Sequence, residues 1–341
     1  MRNRIPIIIG IIVVAIAAWT VWRFAPHKAS PPAARLQTVT VALDWTPNTD
    51  HTGMYVAQAK GWYKEQGIDL KILPYSSDVT SSTLLDTGKA DVGIVSTEDI
   101  VSGQAKGHPL TAIGAVLQHN TSGLIVRADS GITTPKDLDG KTYGGWGSPL
   151  ETAVVGAIIK NAGGQGTVKN VTLDVSAMPA LESRKIDVVW VLAGWELIQA
   201  KRDGLANHFF PVTKYGIPDS PTLSFTVAPD KLKTQPNLLS RFMKATAQGY
   251  EYARQHPQES AQILIKGTPK GTFPDEGLVI ESQSYVSTQY ADAGGKWGTE
   301  NATAWKNYTQ FLLGAGTVTD ASDKPVTTLN IPALYNNQFV Q

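Results

Sequence analysis

Tryptophans, carboxylates and short polar side chains recur in this chain where apolar, strand-like runs give way to loops. Asp44, Trp45, Asn48, His51 and Tyr55 follow the first such run, Ser96, Thr97 and Glu98 the third, and Gln118, His119, Asn120 and Ser122 the fifth. Further along, Trp146, Ser148 and Glu151 follow one run, and Trp195 with Glu196 another. An indole face stacks on a flat ring for ~0.5–1.5 kcal/mol beyond the area it buries, with little discrimination. A carboxylate such as Glu151 accepts from an exocyclic amine and a ring N–H together, and charge-assisted pairing of that kind fixes orientation. The combination suits binding of a flat, nitrogen-rich ring.

Each residue also has a plainer reading. Trp45 and Trp195 suit an ordinary core as well as a site, although three tryptophans at three strand ends favour function. His51, beside an expected helix start, reads as a local hydrogen-bonding residue, since no second ligand stands at a spacing such as H-E-x-x-H. No metal and no cofactor is therefore expected. Gly144–Gly147 precedes a helix but matches neither G-x-G-x-x-G nor G-x-x-x-x-G-K-[ST], so a phosphate loop is poorly supported. No G-x-S-x-G elbow is present. Glu98 and Asp99 are adjacent, point different ways on a helix, and read simply as first-turn acids favoured by the dipole. No catalytic constellation emerges, and the chain is expected not to be an enzyme.

The elements that must carry these residues alternate. Strands are expected over 38–45, 68–75, 90–96 and 110–118, with helices starting near His51 and stopping at Gly67, around 79–87, and over 98–105. A second series follows 123–129, with strands at 141–147, 171–175 and 186–192 and helices over 149–161, 178–184 and 195–201. A strand at 223–229 returns the chain to the first unit, where an amphipathic stretch over 237–255 packs. The expected fold class is α/β, with largely parallel, helix-covered sheets in two lobes. The lobes divide as 37–125, 126–222 and 223–341, with crossings near 122–128 and 220–226 acting as a hinge. Ligands of open α/β sheets bind beyond the carboxyl ends of the strands, so two facing lobes place these loops around one cleft.

Composition agrees with that organisation. The chain has 341 residues, 42% hydrophobic and 17% charged, a net charge of +1 and no cysteine. Such a chain buries a real core, and its length fits two compact units better than one. Nucleic acid is excluded as a partner for want of a basic stripe. Disulfides, thiolate metal sites and a lipidated cysteine are excluded outright. Arg2 and Arg4 precede an apolar run from Ile5 to Trp22, long enough to cross or nearly cross a ~30 Å hydrocarbon layer. Residues 1–24 therefore read as a membrane anchor or signal, the anchor being favoured because no small-residue cleavage site follows. Residues 25–36, with Pro31 and Pro32, read as a linker.

The stretch VALDWTPNTDHTGMYVAQAKGWYKEQGIDLKI resembles the opening signature of the thiamine-pyrimidine-precursor family. That family joins binding proteins of bacterial ABC transporters with fungal pyrimidine synthases. The likeness continues through GKADVGI, AIGAVLQHNTSGLIV and DLDGKTYGGWGSPLE, and covers residues 38 to about 315. It implies a two-lobed type II binding protein that clamps its ligand at the hinge. By the resemblance, Asp44, Trp45, Asn48, His51 and Tyr55 match the first-lobe pocket motif, and Trp146 and Glu151 stand in a second-lobe loop that contacts the pyrimidine. It further implies an extracytoplasmic monomer that delivers an aminopyrimidine to an ABC permease and its ATPase. The synthases carry a cysteine-rich motif, a reactive lysine and a histidine; here there is no cysteine, and Val95 and Asp99 stand at the latter two positions. That departure, with GGWGSPLE in place of a charged phosphate loop, disfavours synthesis and a pyridoxal phosphate ligand. A riboflavin or sulfonate ligand, or a sensing role beside a membrane partner, remain alternatives.

Overall fold

Ten strands form two five-stranded sheets in the computed structural model, which describes residues 35–173 and 177–340. The first sheet has the order β2-β1-β3-β10-β4, from β1 (Gln37–Ala42), β2 (Ile68–Ile72), β3 (Val92–Ser96), β4 (Thr111–Ala115) and β10 (Leu223–Val227). The second has the order β7-β6-β8-β5-β9, from β5 (Ser122–Arg127), β6 (Thr142–Gly145), β7 (Lys169–Thr172), β8 (Val188–Leu192) and β9 (Asn207–Pro211). Helices join β1 to β2, β2 to β3 and β3 to β4 in the first sheet, and β6 to β7, β7 to β8 and β8 to β9 in the second, as βαβ patterns require.

The sheets are not wholly parallel. β10 runs antiparallel to β3 and β4, and β5 antiparallel to β8 and β9. In both cases the odd strand is the one by which the chain enters from the other lobe, so it arrives from the opposite end. β5 lies entirely in the second sheet, which moves the expected 125/126 division into the segment 116–121; the return crossing occupies the residues between Pro211 and Leu223. From Gln37 onward the chain forms one compact unit.

The expected single helix from His51 to Gly67 is two. Thr52–Ala59 ends where Gly61 takes a φ of 81°, and Trp62–Glu65 follows. The first of these is held by the Pro236–Gln255 helix, which buries Leu238, Leu239, Phe242, Met243, Thr246, Gly249, Tyr250 and Ala253 at helical spacing. A Cβ at Gly249 would strike the Gly53 carbonyl, and one at Gly53 would strike the Tyr250 ring. Glycine at both positions lets the backbones touch, and this fixes the turn that precedes Thr52. Below it, Tyr250 stacks on Trp297 at 4.1 Å and 6°, inside a core that includes Phe225 and Phe242.

Three expectations concern residues that the structure leaves undescribed. The anchor or signal at 1–24 lies outside the described residues, as does the linker up to residue 34. Positions 174 and 175 of the strand expected at 171–175 do too. Among the described residues, no helix is long and apolar enough to cross a membrane.

Candidate functional site

The loop after β1 is built by its own polar side chains. Asn48 caps a single helical turn, Thr49–His51, accepting from the Asp50 amide at 2.8 Å and donating to the Thr46 carbonyl at 3.1 Å. His51 is fully buried: Nδ1 accepts from the Asn48 amide at 3.2 Å, and Nε2 donates to Asp44 Oδ1 at 2.8 Å. The amide fixes the ring tautomer, and the carboxylate holds its orientation. Asn48 and His51 thus shape the loop and have their polar atoms occupied. Asp44 is engaged only through Oδ1, and Trp45 is half-buried beside it.

Asp50, which the sequence reading passed over, is the exception in this loop. Its residue is 4% exposed, yet its carboxylate accepts no hydrogen bond from any described residue; only its backbone is used, by Asn48 and by the Tyr250 hydroxyl. Burial pushes its carboxyl up to about 7; neighbouring Asp44 and Glu196 raise it, and only His51 pulls the other way. An acid in a helical first turn is so common that sequence alone gave no reason to single it out.

Glu196 belongs to the other lobe. It opens the Glu196–Arg202 helix after β8, and Oε2 accepts from the Leu192 amide at 2.9 Å. Burial pushes this carboxyl to about 7 as well. The lobes are tied together beside it. Ser282, buried in the Glu276–Val286 helix of the first lobe, lies 2.6 Å from Thr49 Oγ1 and donates to the Gly194 carbonyl. Arg202 binds both oxygens of Asp275, at 2.7 and 2.9 Å, a fork geometry suited to guanidinium. Trp195 packs on Phe273 at 6.0 Å and joins a cluster with Tyr55, which is only 6% exposed. Trp195 and Tyr55 therefore sit at the interlobe seam with much of their surface spent on protein.

The loop after β6 follows the same principle. Glu151 is 1% exposed and accepts from the Tyr143 hydroxyl and from the amides of Trp146 (3.1 Å), Gly147 (3.0 Å) and Ser148 (3.3 Å). With Ser148 it forms a capping box for the Pro149–Asn161 helix. A Cβ at Gly145 would overlap the Glu151 carboxylate, so glycine is needed for this approach. Glu151, expected to grip a ligand amine, has its acceptor sites filled by its own loop. Burial still raises its carboxyl despite those bonds. Trp146 is 53% exposed, the most open large apolar side chain described, and tilts against half-buried Trp190 at 5.5 Å. Trp190 inside an apolar strand gave no sequence signal other than core.

The remaining expected residues divide. Glu98, at the start of the Thr97–Lys106 helix, accepts from the Tyr308 hydroxyl; burial raises its carboxyl, and the charge of Glu151 across the seam adds to that. Thr97 donates to the Pro221 carbonyl. Gln118 binds the Lys296 carbonyl at 2.7 Å and the Asp292 amide at 3.1 Å, and Ser122 donates to Asn120 at 2.6 Å. These three spend their polar atoms on the crossings. In this structure these expected ligand contacts serve the hinge between the lobes. His119 completes it, with one ring nitrogen on Asp219 of the second crossing and the other 2.9 Å from Asp292. An open groove of about 530 Å³ also runs along the seam, lined by Ala193, Leu197, Ile198, Lys201, Asn207, Phe209, Glu281 and Tyr285. It contains none of the expected site residues.

Among the described residues, no group of three His, Cys, Asp or Glu is arranged to hold a metal ion. The junction instead gathers carboxylates from both lobes with tryptophans near them. Such an arrangement binds donors and repels anions.

Comparison with known proteins gives a consistent picture. Residues 48–260 match the family described as NMT1/THI5 like. The formylaminopyrimidine-binding protein of Halalkalibacterium halodurans is 25% identical over 281 residues, covering 81% of this chain and 85% of that protein. The 4-amino-5-hydroxymethyl-2-methylpyrimidine phosphate synthase of Legionella pneumophila is 28% identical over 240 residues, covering 69% and 75%. Among solved structures, the alkanesulfonate-binding protein SsuA from Xanthomonas axonopodis pv. citri, bound to MOPS, superimposes with a TM-score of 0.67 at 14% identity, covering 90% of this chain and all of that one. At that identity the likeness shows the fold alone, which is the two-lobed α/β fold of periplasmic binding proteins.

Proposed function

The chain belongs to the NMT1/THI5-like family, and on that footing we propose that it is an extracytoplasmic solute-binding protein of an ABC importer, capturing an aminopyrimidine precursor of thiamine between its lobes. The observation that carries the reading is the junction itself. Asp50 of the first lobe lies within electrostatic reach of Asp44 and of Glu196 from the second, across the Thr49–Ser282–Gly194 link, and the Trp146 and Trp195 rings belong to the second-lobe side. A planar ring edged with N–H donors complements that surface. A ligand shifts an equilibrium between open and closed forms only by its differential affinity, so contacts to both lobes are what favour closure. Micromolar binding needs about −8 kcal/mol net, within reach of stacked aromatics and charged hydrogen bonds. Closure would then present the loaded form to a permease.

The similarity to a synthase supports a second reading, an enzyme that makes the pyrimidine. The cysteine-free sequence speaks against it. The two separate in one experiment. Incubation with pyridoxal phosphate, iron and oxygen yields pyrimidine product if the chain is a synthase; reversible calorimetric binding of formylaminopyrimidine without turnover supports the receptor. Absence of binding to any aminopyrimidine at millimolar concentration would overturn the proposal.

A further inference from the structure

The unengaged carboxylate of Asp50 asks for an explanation. The residue is only 4% exposed, and no described residue donates to its carboxylate. Asp50 is held in place by a complete network: Asn48 binds its amide, and the Tyr250 hydroxyl binds its carbonyl. The turn that carries it is tied through Thr49 and Ser282 to the Gly194 carbonyl, two residues before Glu196. The fold therefore positions Asp50 with care, brings it beside the opposite lobe, and leaves its side chain without a partner.

Resting on the pyrimidine reading above, we propose that Asp50 is a ligand-binding residue and that Asp50 and Glu196 hold a nitrogen heterocycle as its ring cation, the cleft supplying the proton. In that step a carboxyl O–H bond breaks and a ring N–H bond forms; no electrons are exchanged and nothing leaves.

The groups facing Asp50 are His51 and Asp44 from its own loop, Glu196 from the second lobe, the phenol of Tyr250 from the helix beneath, and that of Tyr290 from the turn after the Glu276–Val286 helix. Two buried carboxyls that each titrate at about 7 share protons near neutral pH, so one can donate while the other stays ionised. A ring nitrogen entering between them meets a proton donor on one side and a second carboxylate to balance the resulting charge. The same arrangement rejects a phosphorylated guest, which would bring more negative charge to the acids.

The test uses the full chain with two probes, 4-amino-5-hydroxymethyl-2-methylpyrimidine and its phosphate monoester. Ultraviolet difference spectra are recorded at a pH above the free pyrimidine's own ring titration. The bound pyrimidine is expected to show the spectrum of the ring-protonated form, and the phosphate to bind at least tenfold more weakly. Asp50→Asn and Glu196→Gln are each expected to restore the neutral spectrum and weaken binding at least tenfold. A neutral spectrum in the wild-type complex overturns this inference and leaves the receptor reading intact, and it needs no variant to fold. No binding of the pyrimidine by the wild type overturns the receptor reading, and this inference falls with it.

Discussion

Removing the Glu151 carboxylate separates a residue that touches a ligand from one that shapes the loop around it. Glu151→Ala deprives four donors of their acceptor: the Tyr143 hydroxyl and the amides of residues 146–148. Tyr143 is 1% exposed, so its hydroxyl stays dry and unpaired, at a cost of about 1–3 kcal/mol. The loop amides sit beside exposed Trp146 and regain water at little cost, but the capping box is lost, for about 1 kcal/mol. The sum is a destabilisation of about 2–4 kcal/mol, measured by urea unfolding. Binding of the pyrimidine is measured on Glu151→Ala, Trp146→Ala and the double variant. If Glu151 acts only by holding Trp146, the double variant binds no more weakly than Trp146→Ala alone, because the losses share one cause. Losses in affinity that add, or unaltered stability in Glu151→Ala, would refute the positioning role.

Other outcomes follow from the same geometry. Trp146→Ala should weaken pyrimidine binding tenfold or more, about 1.4 kcal/mol, with no change in the urea midpoint, since the ring is largely exposed; calorimetry and urea unfolding check both halves. Ser282→Ala breaks the link from Thr49 to the Gly194 carbonyl and should cost about 1–2 kcal/mol of stability, read by urea unfolding. Hydrogen bonds to Asp219 and then Asp292 raise the His119 imidazole above its ordinary value. The hinge contact it makes is therefore fully present below about pH 6.5 and is lost as pH rises through the raised value. Thermal unfolding from pH 5.5 to 9 should show this decline in the wild type and a flatter profile in His119→Gln; equal profiles would remove His119 from the hinge.

Most of the fold was legible because the apolar runs alternate with helical stretches at recognisable stops, and Gly67, Gly88 and Ser148 mark their boundaries. The antiparallel β5 and β10 were not, since a strand's direction depends on which lobe the chain comes from. At the site, residue type revealed where polar chemistry gathers but not what each group does. Asn48, His51 and Glu151 were read as ligand contacts, whereas their hydrogen bonds go to their own loops. Asp50 was passed over because a first-turn acid normally serves the helix, and only burial without a partner sets it apart. Trp190 was hidden by its apolar neighbours in β8.

The central claim is that the two lobes hold a flat nitrogen heterocycle and leave it chemically unaltered. Equilibrium dialysis of the full chain against formylaminopyrimidine, with mass spectrometry of the recovered guest, tests it most directly. Saturable retention of one molecule per chain, returned at unchanged mass, is the expected result. No retention, or recovery at a different mass, would contradict the account.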